Sequence, residues 1–354
     1  MTRLRVLVAD DSLTVRRRLC EVLAAHPDFD VVGEAADGKQ AIEHCRRLRP
    51  DVITMDMMMP VMSGLSATEY IMAHCPTPIL VVSASVNRGE LFKTYDALAA
   101  GAVDVLDKPL GDEMDGDWEQ RFVASVKMAA RIRVITHLRA RLPARTAAAG
   151  AHAGLAPGQA ACRVIALGAS TGGPGALVDV LRALPAPLRV PVLVVLHIND
   201  TFAGAFADWL DAQTPHRVAY AQDGEPLAAT AGRVIVAPPG RHLVVADGLL
   251  RLTHTPERHS CRPAVDCLFE SLAGECGAGT AAALLTGMGR DGALGLLAIR
   301  QAGGQTLAQD EASSVVYGMP REAVALGAAG RVLPLAEIGP TLAALAPALR
   351  DTRP

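Results

Sequence analysis

The sequence predicts an α/β chain of two doubly wound domains. The first is an N-terminal five-stranded parallel sheet, the second a mostly parallel sheet with an antiparallel hairpin excursion. Three observations carry this. The chain has 354 residues, long for one hydrophobic core. Short β-rich runs alternate with helix-period stretches at βα spacing in both halves. A charge-biased stretch rich in Ala, Gly and Pro separates the halves.

In the first half LRVLVA (4–9), DVVGEA (30–35), DVITM (51–55), PILVVS (78–83) and AVDVL (102–106) read as buried strands. In the second, RVIALG (163–168), PVLVVL (191–196), RVIVA (233–237), TAAALLT (280–286) and GGQTLAQ (303–309) read the same way. HLVVADGLLRL (242–252) carries Asp-Gly between two apolar runs, a hairpin signal. Between Arg121 and Arg163 there are eight Lys or Arg and no Asp or Glu. The first part is helix-compatible; residues 143–161 read as a flexible tether. The expected boundaries are therefore 1–125 for the first domain, 126–161 for the basic helix end and linker, and 162–354 for the second domain.

Composition narrows the function. Half of the residues are hydrophobic and a fifth charged, as in globular domains. Aromatics are only 3% and the formal charge is −3, which offers nucleic acid neither stacking rings nor a global basic field. Seven Cys, with no CxxC, fit reduced thiols in a cytoplasmic setting. No apolar run is long enough for membrane insertion.

In a parallel sheet, chemistry collects at the carboxyl ends of the strands. In the first domain Asp10 and Asp11 end one strand, Asp56 follows the third, Ser83 ends the fourth and Lys108 follows the fifth. Three converging carboxylates repel unless a cation sits among them, and a hard divalent ion, Mg²⁺, fits oxygen ligands. A carboxylate beside it can attack a phosphoryl group while Lys and Ser neutralise the phosphate oxygens. With Met59-Pro60, Gly64 and Lys108-Pro109 in order, this set resembles the receiver domain of two-component response regulators. The resemblance implies phosphorylation of Asp56 by a histidine kinase phosphodonor. It also implies Mg²⁺ held by Asp11, Asp56 and the Met58 carbonyl, with Asp10 helping through water and Ser83 and Lys108 sensing the phosphate. Val105 stands where many receivers carry an aromatic switch residue.

The second domain opens with RVIALG running into Gly168-Ala169-Ser170-Thr171-Gly172-Gly173-Pro174-Gly175 and a helical ALVDVLRAL. A dinucleotide-binding turn has another glycine spacing, and the next strand here ends in His197 rather than an acid. A plain Ser cap and a nucleophile elbow remain. Ser needs a base. Of the ten His, His197 sits at a carboxyl strand end, His242 opens a strand at the wrong end, and His254 and His259 fall in a polar loop without fixed geometry. For the orienting acid, Asp291 follows TAAALL in a glycine-rich loop, and Asp310 after GGQTLAQ is the alternative.

GASTGGPGAL, the strand-terminal His197, APPGRHL, RPAVDCLFESLA, LLTGMGRDGALGL and AQDEASSVVYGMPREA together resemble the catalytic domain of chemotaxis protein-glutamate methylesterases. That resemblance implies Ser170, His197 and Asp291 as triad, with Thr171 and Met288 supporting the substrate and oxyanion. It implies hydrolysis of glutamate methyl esters, and deamidation of glutamine, on methylated chemoreceptors, with the unphosphorylated receiver covering the cleft. No cofactor is implied for the esterase step. Leu196-His197-Ile198 departs from the family's usual Gln-His-Met, and Ala264 replaces a usual Ser. A DNA-binding output finds no helix-turn-helix pattern after residue 163, and a non-catalytic binding output leaves the Ser-His-Asp set unexplained.

Overall fold

The computed structural model describes residues 3–84, 87–109, 116–132, 134, 161–198 and 200–346. It divides into two compact units, Met1–Arg145 and Thr146–Pro354.

The first unit alternates β1 (Leu4–Ala9), α1 (Leu13–Ala24), β2 (Phe29–Ala35), α2 (Gly38–Leu48), β3 (Val52–Met55), α3 (Gly64–His74), β4 (Ile79–Ser83), α4 (Arg88–Ala99), β5 (Asp104–Asp107) and α5 (Asp117–Ala130). The sheet is wholly parallel in the order β2-β1-β3-β4-β5. Its strands β3 and β4 are buried throughout, as both faces are covered. Trp118, Phe122 and Val126 of α5 pack with Val6, Val8, Leu80 and Leu106 in one core. The helices start where the sequence offers caps: Ser12 accepts from the Val15 amide and Asp37 from the Gln40 amide. The switch in strand order falls between β1 and β3, so Asp10 and Asp56 emerge at its crevice. α5 continues past residue 125, and the tether at 143–161 lies outside the described residues except Ala161.

The second unit contains β6 (Val164–Ala169), α6 (Gly173–Arg182), β7 (Val192–Leu196), α7 (Asp200–Ala203), α8 (Phe206–Gln213), β8 (Arg217–Tyr220), β9 (Arg233–Val236), β10 (His242–Ala246) and β11 (Leu249–Thr253). It continues with α9 (Val265–Glu275), β12 (Thr280–Leu284), α10 (Ala293–Gln301), β13 (Gln305–Gln309), α11 (Met319–Ala325), β14 (Arg331–Leu333) and α12 (Leu335–Leu345). Seven strands form a parallel sheet in the order β14-β13-β12-β6-β7-β9-β8. The hairpin β10–β11 stands apart as a two-stranded antiparallel sheet. Asp247 and Gly248 turn it with φ of 53° and 71°, as Asp-Gly suggests. The edge strands β8 and β14 were not anticipated from the sequence. The switch point lies between β6 and its neighbours β7 and β12, at the carboxyl end of β6. Among the described residues no helix is long and apolar enough to cross a membrane.

Candidate active site

Ser170 follows β6 and is half-buried. The chain turns sharply beyond it: the Gly173 amide donates to the Ser170 carbonyl at 2.6 Å, and Gly172 adopts φ 77°, which glycine permits without strain. Sheet register sets the neighbours. Ala169 pairs with Leu196, so the next residues, Ser170 and His197, emerge side by side, and the His197 amide donates to the Ala169 carbonyl at 3.0 Å. On the other flank the Ser170 amide donates to the Thr286 carbonyl at 3.0 Å. The loop after β12 passes very close: a Cβ on Gly287 would lie 2.8 Å from Ser170 Cβ.

Asp291 ends that loop, buried, and holds four donors. His197 Nε2 lies 2.8 Å from Oδ2, the Val265 amide 2.6 Å from Oδ2, and the Asp266 and Gly292 amides 3.0 and 2.9 Å from Oδ1. Two of those amides open α9. Ala264 there supplies no side-chain cap, so the carboxylate of a distant loop caps the helix in its place. Burial opposes the charge on Asp291, yet His197 and the α9 amides hold its pKa below the ordinary carboxylate value. Burial also works against a charged His197, but the hydrogen bond to Asp291 and the neighbouring Cys261 sulfur raise its pKa to about 9. Among the described residues no hydrogen bond joins Ser170 to His197.

Thr171 lies beside Ser170, and its carbonyl accepts from Thr286 Oγ1 at 2.9 Å. Met288 is exposed on the same loop as Asp291. Asp310, the alternative acid, is engaged elsewhere: it accepts from the Ser313 amide at 3.0 Å and its hydroxyl at 2.6 Å. His242 is buried, with Nε2 against the Pro256 carbonyl and Nδ1 accepting from the Ala264 amide.

The expectation of a loop without fixed geometry around His259 is corrected. Arg258 and Cys261 exchange backbone hydrogen bonds across a tight turn whose central residues, His259 and Ser260, both have positive φ (54° and 58°). His259 Nε2 is tied to Asp266 Oδ2 at 2.9 Å, and Arg258 pairs with Glu270. That turn brings Cys261 beside His197, which sequence reasoning missed. The only signal was a Cys directly before Arg262-Pro263.

In the first unit, Lys108 Nζ lies 2.9 Å from Asp10 Oδ2 and 3.1 Å from Asp56 Oδ1. Burial raises both carboxyl pKa values against the pull of Lys108. For Lys108 burial works the other way, and the two carboxylates raise its pKa above the ordinary amine value. One oxygen each of Asp10, Asp11 and Asp56 lies within 4.8 Å of the others, and Asp11 is exposed. Among the described residues, Asp10 Oδ2 accepts no hydrogen bond beyond its ion pair, and the buried Ser83 Oγ has no partner. Such under-satisfied oxygens suit Mg²⁺ and a phosphoryl group. Met58 lies in the loop after β3, exposed, and Val105 is buried on β5.

Fold and strand-end groups together define a response-regulator receiver joined to a parallel α/β output domain. The sequence profile described as CheB methylesterase matches residues 165–342, and that of the response regulator receiver domain matches residues 6–114. A protein-glutamate methylesterase/protein-glutamine glutaminase of Anaeromyxobacter dehalogenans is 47% identical over 336 residues, covering 95% of either chain. A Myxococcus xanthus relative of the same description is 44% identical over 347 residues, covering 96% of each. The crystal structure of the Thermotoga maritima CheB methylesterase catalytic domain is 33% identical with a TM-score of 0.50, covering 53% of this chain and 100% of that one. This chain belongs to the CheB methylesterase family.

Proposed function

We propose that the chain hydrolyses γ-methyl esters of glutamate side chains on chemoreceptors, and glutamine amides at the same site, with Ser170, His197 and Asp291 as triad. The observation that carries this is the 2.8 Å His197–Asp291 contact on a strand end register-adjacent to Ser170. With Nε2–H donating to Asp291, Nδ1 is the nitrogen left to act as base. Ser170 Oγ adds to the ester carbonyl as its proton passes to His197. The C–O bond to the methoxy group then breaks, and His197 returns the proton to release methanol. Water repeats the cycle on the acyl-serine and frees the glutamate. A glutamine amide follows the same path with ammonia leaving. Thr171 and Met288 flank the carbonyl oxygen, where donors stabilise its developing charge.

The first unit is the control element in this reading. Asp56 accepts a phosphoryl group from a histidine kinase phosphodonor. Asp11, Asp56 and the Met58 carbonyl would hold Mg²⁺, with Asp10 helping through water, while Ser83 and Lys108 would take the phosphoryl oxygens. The ion, when bound, offsets charge between the acidic cluster and the incoming phosphoryl group. Domain limits of 1–125, 126–161 and 162–354 belong to the same proposal. So does a cytoplasmic setting, in keeping with cysteines that are all free. The deciding experiment measures methanol release from methylated receptors by the parent and by Ser170→Ala. Undiminished release by the variant would sink the proposal.

A further inference from the structure

Cys261 makes and breaks no bond in that chemistry, yet it occupies a prepared position. The turn Arg258–Cys261 holds two non-glycine residues at positive φ, a conformation that costs free energy and persists only when its surroundings enforce it. Here they do. His259 is fixed on Asp266, Arg258 on Glu270 and Asp266, and the Arg258 and Cys261 backbones pair in both directions. The residue so delivered has a half-buried thiol beside His197 and Asp291. One ligand atom from each of the three lies within 4.8 Å of the other two.

We propose that His197, Cys261 and Asp291 form a binding site for a thiophilic divalent cation, zinc above all, and that its occupancy switches hydrolysis off. Imidazole nitrogen, thiolate sulfur and carboxylate oxygen are the donors zinc takes, with bond lengths that put neighbouring donors about 3.4–3.6 Å apart. Magnesium and calcium prefer oxygen throughout and are poor matches for a thiolate. His197 Nε2 and Asp291 Oδ2, now 2.8 Å apart in a hydrogen bond, part by about 0.6 Å to reach that spacing as the proton between them leaves. His197 and Cys261 are both only partly buried, so water can enter and fill a fourth position. The carboxylate is already oriented by the Val265 and Asp266 amides, support of the kind that tunes metal ligands.

Binding has a definite proton balance. Cys261 gives up its thiol proton, and a protonated His197 gives up one more, so zinc should bind more tightly as pH rises. The ion takes the imidazole nitrogen that faces Asp291, so the neutral ring carries its proton on Nδ1 and the base nitrogen loses its free lone pair. His197 then cannot serve as base. The site itself stands on geometry, whereas the loss of hydrolysis rests on the triad reading above.

The test uses the full chain in a reductant that does not chelate metal. Zinc binding is titrated with a chromophoric indicator, cobalt(II) is added as a spectroscopic substitute, and methanol release is followed in the same samples. The parent should show a thiolate-to-cobalt absorption band and lose hydrolysis as zinc is added. Cys261→Ser and Cys261→Ala should lose that band and require at least tenfold more zinc for half-inhibition, each judged against its own zinc-free rate. Cys267→Ser serves as the thiol control and should behave as the parent. Ser170→Ala should bind zinc as the parent does. Unchanged zinc sensitivity and an unchanged cobalt band in both Cys261 variants would overturn the site. Zinc bound in a Cys261-dependent way while hydrolysis continued would leave the site standing and remove His197 from the role of base.

Discussion

His197 faces two opposed requirements. As the proposed base it must be neutral, yet its neighbours raise its pKa from 6.5 to about 9. The rate kcat/KM should therefore climb with pH through an inflection well above 6.5, read after subtracting the Ser170→Ala rate. Part of the shift comes from the Cys261 sulfur, so Cys261→Ser should move the inflection down; an unmoved inflection would deny the contact. The same shift means the folded chain binds this proton more tightly than the unfolded one. Its stabilising contribution is complete below pH 6.5 and lost as pH rises through about 9. Ser170→Ala and His197→Ala should abolish methanol release. Asp291→Asn should leave a small residue, since roughly 10³–10⁴-fold catalysis over water can survive loss of a triad member through binding and oxyanion contacts. Near-parental turnover by Asp291→Asn, with Asp310→Asn inactive, would transfer the acid to Asp310.

Among the elements, the loop between β12 and α10 packs directly against the site. A methyl group at Gly287 would meet Met319 Sδ at 2.3 Å and Ser170 Cβ at 2.8 Å. Gly287→Ala should therefore push Ser170 off its register and cut turnover at least tenfold, with an overpacking cost of about 1–3 kcal/mol visible in thermal unfolding. Parental kinetics in this variant would show that the loop yields freely. The same scale explains what the sequence could reveal. Strands β4, β6, β7 and β12 are largely apolar runs buried on both faces, as is β1 beyond Arg5, so their period and their polar ends were readable. Strands β8 and β14 have four and three residues, begin with exposed Arg217 and Arg331, and exist through pairing with β9 and β13. Local pattern carries no such pairing. Ser170, His197 and Asp291 were legible because strand ends mark them. Cys261 and the α9 cap were not, because they depend on contacts between segments distant in the chain, as from Val265 to Asp291.

At the level of the whole molecule, the proposed control by the first unit gives the remaining predictions. A small-molecule phosphodonor with Mg²⁺ should raise methanol release, and Asp56→Asn should make the chain unresponsive; a surviving response would place the switch elsewhere. A fragment beginning near Ala161 should outpace the unphosphorylated full chain on receptors and on a small methyl ester alike. Equal rates on both substrates would defeat inhibition by the receiver, and a loss confined to receptors would instead assign it a delivery role. Val105, buried on β5 where an aromatic switch is usual, requires any conformational signal to travel without a flipping ring. Asp291 has a different reach. Because its carboxylate also closes the amino end of α9, a descendant that abandons the reaction cannot shed this acid as freely as it can shed Ser170. Among degenerate copies of such a gene, the serine should decay first, and the aspartate should outlast the activity proposed for it.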